Sequence, residues 1–87
     1  MKSRVTASFW KQYDRLPLHV QETADRAYLL WRENPSHPSL QFKRVHAQAS
    51  LFSARVGRSY RAVGVMVEDT LVWYWIGTHA EYDHLLK

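Results

Sequence analysis

The residues most able to perform chemistry are basic and imidazole side chains in the second half of the chain. His79 has an imidazole that can take up or release a proton near neutral pH. Arg61 carries a planar guanidinium that matches the geometry of phosphate oxygens, and Lys43 and Arg55 add positive charge. These residue types could move a proton and stabilise a growing negative charge without a metal ion.

Other kinds of catalytic site are poorly represented. The chain has no cysteine, and its His, Asp and Glu residues show no metal-site spacing. His79 and His84 are five residues apart, a spacing that does not align two ligands on one helix face. Only three glycines are present, with no phosphate-binding loop or nucleophile elbow. We therefore expect neither a metal nor a cofactor.

Length and charge limit the class of protein. With 87 residues, the chain is predicted to be a single domain spanning residues 1–87. The net charge of +4 favours a polyanion or an acidic protein as partner. No apolar run suits a signal peptide or a membrane span, and the lack of cysteine fits a reducing compartment. We expect a cytoplasmic protein with no membrane partner.

The first part of the chain has helical periodicity. Lys2–Thr6 is a short strand candidate, and Ser8–Leu16 and Pro17–Glu33 carry apolar residues at helical spacing. Proline suits the first turn of the second helix, because its missing N–H costs nothing there. Two prolines in Asn34–Pro38 end that helix. The pattern predicts a helical hairpin over residues 8–33.

The remainder favours strands. The candidates are Leu40–Val45, Leu51–Val56, Tyr60–Val67 and Thr70–Gly77, with Ala80–Leu86 as a terminal helical turn. Helices that are segregated from a run of strands indicate an α+β fold. The expected architecture is an antiparallel sheet with the N-terminal helical hairpin packed on one face.

A hairpin turn at residues 68–69 would set the register of the last two strands. Gly64 then faces Trp73 and Ala62 faces Trp75, so that small residues meet large ones. We assign this face to the helices, with both Trp side chains in the core. Arg61 then points to the opposite, open face as a solvent-exposed residue that the fold does not need. A one-residue change in turn length would invert the assignment.

Several short segments occur in a fixed order along nearly the whole chain. They are Leu16-Pro17, Asn34-Pro35, Phe42-Lys43-Arg44, Phe52–Gly57, Tyr60–Gly64, Glu68-Asp69 and Ile76–Tyr82. This order resembles the RelE/ParE toxin superfamily, particularly its ParE-like and HigB-like members. The resemblance implies a bacterial type II toxin with a cognate antitoxin. It also implies an antiparallel sheet with two helices on one face and an active groove on the other.

The resemblance further implies functional residues. Arg61 matches the position of an Arg that contacts the scissile phosphate. His79 and Tyr82 lie in the tail region that supplies catalytic groups. Lys43 and Arg44 lie near the positions that bind phosphate. The Lys-rich cluster of the RNase members is thin here, and Tyr82 lies three residues after His79 rather than beside it.

Two activities follow from the resemblance. The leading hypothesis is a metal-independent endonuclease that cuts mRNA, on or off the ribosome. The alternative is a ParE-like inhibitor of DNA gyrase, and a third reading is an inactive member that only binds a partner. Arg55 is a further candidate for binding RNA, although alternation predicts that it faces away from Arg61. Each site residue also has an ordinary structural role open to it: a solvated strand Arg, a strand-end His and a packing Tyr.

Overall fold

A five-stranded sheet forms the centre of the computed structural model, which describes residues 2–46 and 49–86. The elements in chain order are β1 (Lys2–Val5), α1 (Ala7–Asp14), α2 (Leu18–Glu33), a 3-10 helix (Pro38–Leu40), β2 (Lys43–His46), β3 (Leu51–Val56), β4 (Tyr60–Val67), β5 (Thr70–Thr78) and α3 (His79–Leu85). Across the sheet the strand order is β1-β5-β4-β3-β2. The predicted α+β class is confirmed.

The sheet is mixed, so the expectation of a purely antiparallel sheet is wrong. β1 pairs with β5 in parallel, whereas the other neighbouring strands are antiparallel. A parallel pair needs a long crossover connection, and here both N-terminal helices and three strands lie between the two partners. The four residues of β1 carry no local signal for this distant pairing, which is why the sequence did not reveal its direction.

Side-chain hydrogen bonds define both ends of α1. The Thr6 side chain accepts from the Phe9 backbone N–H at 3.2 Å, which is a standard N-cap. At the other end, the Gln21 side-chain amide donates to the carbonyls of Tyr13 and Leu16 at 3.0 and 3.2 Å. Because Gln21 belongs to α2, these bonds tie the end of the first helix to the start of the second.

Helix α1 also covers the part of β5 that β1 leaves unpaired. The pairing between β1 and β5 ends at Trp73. Beyond it, the Ser8 hydroxyl donates to the Tyr74 carbonyl at 3.1 Å, and the Ile76 N–H donates to the Gln12 side-chain oxygen at 2.9 Å. Exposed strand edges invite unwanted pairing. Here polar side chains of a helix satisfy the edge and fix α1 over β5.

The core lies between α1, α2 and one face of the sheet. Trp31 of α2 and Trp73 of β5 are 1% and 4% exposed, and their rings meet edge to face at 5.3 Å. The buried cluster comprises Ala24, Trp31, Leu40, Ala54, Val56, Ala62, Leu71, Trp73 and Ile76. We call the opposite face of the sheet the distal face.

Gly64 and Trp73 lie opposite each other on the helical face, as predicted. A Cβ atom at residue 64 would lie 3.1 Å from the Trp73 ring, so glycine leaves the space that this ring occupies. The two-residue turn is also confirmed, because Val67 pairs with Thr70. Glu68 in that turn has a φ of 57°, the left-handed conformation that two-residue hairpins require.

The predicted pairing of Ala62 with Trp75 is wrong. The register shifts after Trp73, so that Ala62 pairs with Ile76 and Val63 pairs with Trp75. Tyr74 is the extra residue of this β-bulge, which moves the following side chains to the other face. Trp75 therefore lies on the distal face, whereas Ile76 joins the core.

Trp73 and Trp10 differ in burial, so truncating each of them tests the assigned core. Trp73→Ala should lower the free energy of unfolding by about 3–5 kcal/mol, as for other buried aromatic truncations. Trp10 is 49% exposed. Trp10→Ala should therefore cost less than about 1 kcal/mol. Urea unfolding of both variants checks this, and equal losses would contradict the assigned core.

Candidate functional site

Arg61 is buried on the distal face with hydrogen bonds on several sides. The residue is 4% exposed, so the expectation of a solvated strand Arg is wrong. One terminal nitrogen donates to the Ser53 hydroxyl at 2.8 Å and to the Gln41 carbonyl at 3.3 Å, and the other donates to the Gln41 side-chain oxygen at 3.3 Å. Its Nε has no partner among the described residues. The guanidinium therefore has neutral oxygens around it rather than a carboxylate.

Tyr82 of α3 covers this guanidinium, which explains the burial. The Cζ atom of Arg61 lies 5.0 Å from the centre of the Tyr82 ring, a cation–π distance. The Tyr82 hydroxyl donates to the Ser53 hydroxyl oxygen at 3.1 Å. Ser53 is fully buried, and its hydroxyl oxygen accepts hydrogen bonds from both Arg61 and Tyr82. The sequence did identify a terminal helical turn, but not that the turn folds back over the distal face.

His79 lies beside Tyr82 but stays open to solvent. The two rings meet edge to face with centres 5.9 Å apart. His79 Nδ1 lies 3.3 Å from an oxygen of Asp83, and the two side chains are 55% and 60% exposed. The i,i+4 spacing on α3 brings them together. Our sequence analysis missed Asp83, although this spacing was visible.

A capping box holds the start of α3, and so positions His79. The Glu81 N–H donates to the Thr78 hydroxyl at 3.1 Å, while the Thr78 N–H and hydroxyl donate to one Glu81 oxygen at 2.8 and 3.0 Å. These hydrogen bonds, the backbone one first, lower the pKa of Glu81. A carboxylate with a lowered pKa stabilises the folded state above its unfolded pKa, and this stability is lost as the pH falls through the folded value.

The basic candidates are distributed over different surfaces. Lys43 is exposed. It pairs across the strands with Ser53, the residue that accepts a hydrogen bond from Arg61. Arg44 pairs with Phe52, so its side chain leaves the sheet on the helical face. The structure thus brings Lys43 towards Arg61 more closely than it does Arg44.

Arg55 lies directly opposite Arg61 in the register, so the expectation that it faces away is wrong. The reason is the pairing itself, because directly opposed residues of antiparallel strands share a face. Its Nε donates to the Gly57 carbonyl at 2.9 Å, and its side chain borders a cleft beside α2. Arg55 therefore does not join the Arg61 cluster.

Trp75 adds an aromatic wall to the site. The bulge at Tyr74 places Trp75 on the distal face, where its ring centre lies 6.5 Å from that of Tyr82. Gly77 follows, and a Cβ atom there would lie 2.8 Å from the Trp75 ring and 2.9 Å from a Glu81 oxygen. Glycine at this position lets α3 and Trp75 approach each other closely.

Two absences hold for the part of the chain that is described. Within residues 2–46 and 49–86, no group of three or more His, Asp and Glu side chains is arranged to hold a metal ion. None of the helices in this part is both long and apolar enough to cross a membrane.

Comparison with known families identifies the class of protein. The model of the ParE-like toxin domain matches residues 18–84, which include α2, the whole antiparallel part of the sheet and most of α3. The chain therefore belongs to the family of ParE-like toxin domains, and the resemblance noted from the sequence is confirmed. No curated protein sequence matches the chain.

Solved structures show the same fold at low sequence identity. The RelB–RelE antitoxin–toxin complex from Methanococcus jannaschii matches with a TM-score of 0.73 and 18% identity, covering 93% of this chain and 96% of that one. YafQ from Escherichia coli gives 0.73 and 13%, covering 93% and 96%. The YoeB/ParE toxin from Agrobacterium tumefaciens gives 0.69 and 19%, covering 91% and 99%.

The burial of Arg61 predicts that its removal affects stability. Arg61→Ala leaves Ser53 and Gln41 without their charged donor, and hydrogen bonds to charged groups are worth about 1.5–3 kcal/mol. We expect a loss of this size in the free energy of unfolding. Lys43→Ala, at an exposed position, should change it by less than about 0.5 kcal/mol. Denaturant unfolding checks the pair, and an equally small loss for both would mean that Arg61 is solvated.

Proposed function

We propose that this chain is a toxin that cuts RNA without a metal ion, with Arg61 and His79 as the main catalytic groups and Tyr82 between them. The observation that carries the proposal is a buried guanidinium with no carboxylate partner in the described part of the chain, linked through one aromatic ring to an exposed His–Asp pair. Buried cations are usually paired with anions. A phosphate group would supply the missing counter-charge.

The reaction would begin at the 2′-hydroxyl. His79 removes its proton, and the oxygen attacks the adjacent phosphorus. The bond from phosphorus to the 5′-oxygen then breaks, an acid protonates that oxygen, and a 2′,3′-cyclic phosphate remains. Arg61 stabilises the negative charge on the phosphorane. Tyr82 and protonated His79 are the available acids.

Asp83 gives His79 the orientation that a general base needs. The Asp83 carboxylate lies 3.3 Å from Nδ1 and would attract a proton to that atom, which leaves Nε2 of the neutral imidazole to take a proton from the substrate. An imidazolium formed during the reaction would also be stabilised by the carboxylate. Asp83 is thus a positioning residue in the proposed site.

Substrate access requires movement of Tyr82. Its ring covers the guanidinium in this structure, so a phosphate reaches Arg61 only after Tyr82 turns aside. Lys43, on the neighbouring strand position, would attract the RNA backbone to this face. Arg44 and Arg55 are weaker candidates for this role, because Arg44 pairs with Phe52 of the helical face and Arg55 is bonded to the Gly57 carbonyl.

A gyrase inhibitor is the second candidate, and a different observation favours it. Leu18, Leu29 and Trp10 on the N-terminal helices are 70%, 59% and 49% exposed. Exposed apolar side chains favour protein contacts. An inhibitor that acts by binding gyrase would need no acid–base group, and the covered Arg61 would then be structural.

Variants of two histidines in α3 test the nuclease proposal. His79→Gln should lower the rate of RNA cleavage by about 100–10,000-fold with no loss of folding, because general acid–base groups contribute rate factors of this size. His84→Gln, an exposed His on the same helix, should leave the rate unchanged. Cleavage of a labelled RNA in EDTA should yield cyclic phosphate ends.

The same test separates the two targets. Intact transcripts during growth arrest, together with cleaved DNA–gyrase complexes, would overturn the nuclease proposal in favour of gyrase. Equal cleavage by the His79 and His84 variants would overturn the site assignment alone. Primer extension on RNA from induced cells distinguishes these outcomes.

An antitoxin is the expected protein partner. Similar folds are found in RelB–RelE complexes from Methanococcus jannaschii and Pyrococcus horikoshii and in the RelBE2 complex from Mycobacterium tuberculosis. The net charge of +4 suits an acidic segment that becomes ordered on binding. RNA, the ribosome and gyrase all lie in the bacterial cytoplasm, so the proposed activity would take place there.

Co-expression tests the partner. We expect that expression of the chain alone arrests bacterial growth, and that the protein encoded beside it restores growth and co-purifies with it. Harmless expression of the folded chain by itself would contradict the toxin function, and growth rescue without a complex would contradict direct binding.

A further inference from the structure

A second cluster of basic residues lies outside the Arg61 site. Arg26 of α2, Arg55 of β3 and Arg58 of the β3–β4 turn border a cleft of about 390 Å³, which we call the arginine cleft. Thr23 and Ser39 add hydroxyl groups to its lining, and none of the residues that border it is acidic. Three positive side chains therefore share one concave surface.

Two of the three arginines are held by hydrogen bonds rather than by ion pairs. Arg26 donates to the Thr23 hydroxyl at 3.3 Å, and Arg55 donates through Nε to the Gly57 carbonyl at 2.9 Å. Within residues 2–46 and 49–86, the ion pairs join Lys2 to Asp69 and His79 to Asp83. Most guanidinium N–H groups of the arginine cleft are thus left to bind an external acceptor.

Gly57 brings the turn against α2. It has a φ of 63°, and a Cβ atom there would lie 3.2 Å from a methyl group of Thr23. A larger residue would be strained and would push the turn away from the helix. The close approach brings the turn that carries Arg58 against α2, which carries Arg26, and both residues border the arginine cleft.

We propose that the arginine cleft binds the phosphate group of a nucleotide. Each guanidinium can donate to two phosphate oxygens at once. Three guanidiniums are more donors than a single carboxylate could bind. Ala27, Leu30 and Leu40 form an apolar part of the lining that could contact a ribose or a base. The phosphate could come from an RNA chain or from a free nucleotide.

The position of the arginine cleft favours RNA as the source. Ser39 and Leu40 border the arginine cleft, and the next residue, Gln41, accepts two of the three hydrogen bonds that Arg61 donates. One short segment therefore separates the arginine cleft from the proposed catalytic site. An RNA strand crossing this segment would place one phosphate in the arginine cleft and another on the distal face. This choice of source rests on the proposed function.

Binding of an uncleavable RNA tests the proposal independently of catalysis. The probe is a fluorescent 2′-O-methyl RNA hexamer, which lacks the attacking hydroxyl, titrated into the purified full-length protein. Arg26→Gln and Arg58→Gln should each weaken binding about tenfold. Each should also reduce the slope of log affinity against log salt by about 0.7, the value for one lost phosphate contact to a single strand.

Arg32→Gln is the matched control. Arg32 lies on the same helix, nine residues or about two and a half turns from Thr23, and so on the opposite side of α2. Arg32→Gln removes the same charge and should change the affinity for the hexamer by less than about twofold. Equal melting temperatures for the three variants exclude a loss of folding as the cause.

Further titrations identify the source of the phosphate. If AMP binding, and not hexamer binding, is weakened by the variants of the arginine cleft, the phosphate comes from a free nucleotide and the RNA path is wrong. If neither probe is weakened beyond the Arg32 control, the proposal is overturned. Loss of binding confined to an acidic peptide such as a glutamate hexamer would also overturn it. If His79→Gln abolishes cleavage but leaves hexamer binding unchanged, RNA binding in the arginine cleft is separable from the proposed reaction.

Discussion

The burial of one guanidinium constrains the rest of the distal face. A charged group removed from water must be fully hydrogen-bonded or paired, because isolated buried charges are very costly. Around Arg61, Ser53, Gln41 in its left-handed conformation and the ring of Tyr82 meet this requirement in part, while Nε is left without a partner among the described residues. Each of these residues comes from a different element, so β3, the segment after the 3-10 helix, and α3 are all anchored to the same side chain. The arrangement of the face follows from that single charge.

This constraint also links folding to the proposed chemistry. A guanidinium held by neutral oxygens can exchange those oxygens for those of a phosphate when Tyr82 moves. The His79–Asp83 pair lies on the same helix as Tyr82, and the Thr78–Glu81 capping box fixes that helix at its start. Movement of α3 would therefore change the covering of Arg61 and the position of His79 together.

Local patterns allowed much of the architecture to be predicted from the sequence. Helical periodicity, the two proline breaks and the turn at residues 68–69 gave the helices, the central strands and the pairing of Gly64 with Trp73. The bulge was not predictable, because Trp73-Tyr74-Trp75 fits a regular strand equally well and a register shift depends on the whole sheet. The burial of Arg61 was missed for a similar reason, since it depends on where α3 docks. Catalytic roles for the predicted site residues stay predictions.

The parallel pairing of β1 with β5 has a consequence for the order of folding. Lys2 pairs with Thr70, so the first strand stays without its partner until the last strand of the sheet has been synthesised. Contacts this distant in sequence slow folding, because the loop between them must close first. Helix α1 is bonded to the same strand and must wait with it. The sheet of a nascent chain therefore stays incomplete until residues 70–78 have been synthesised.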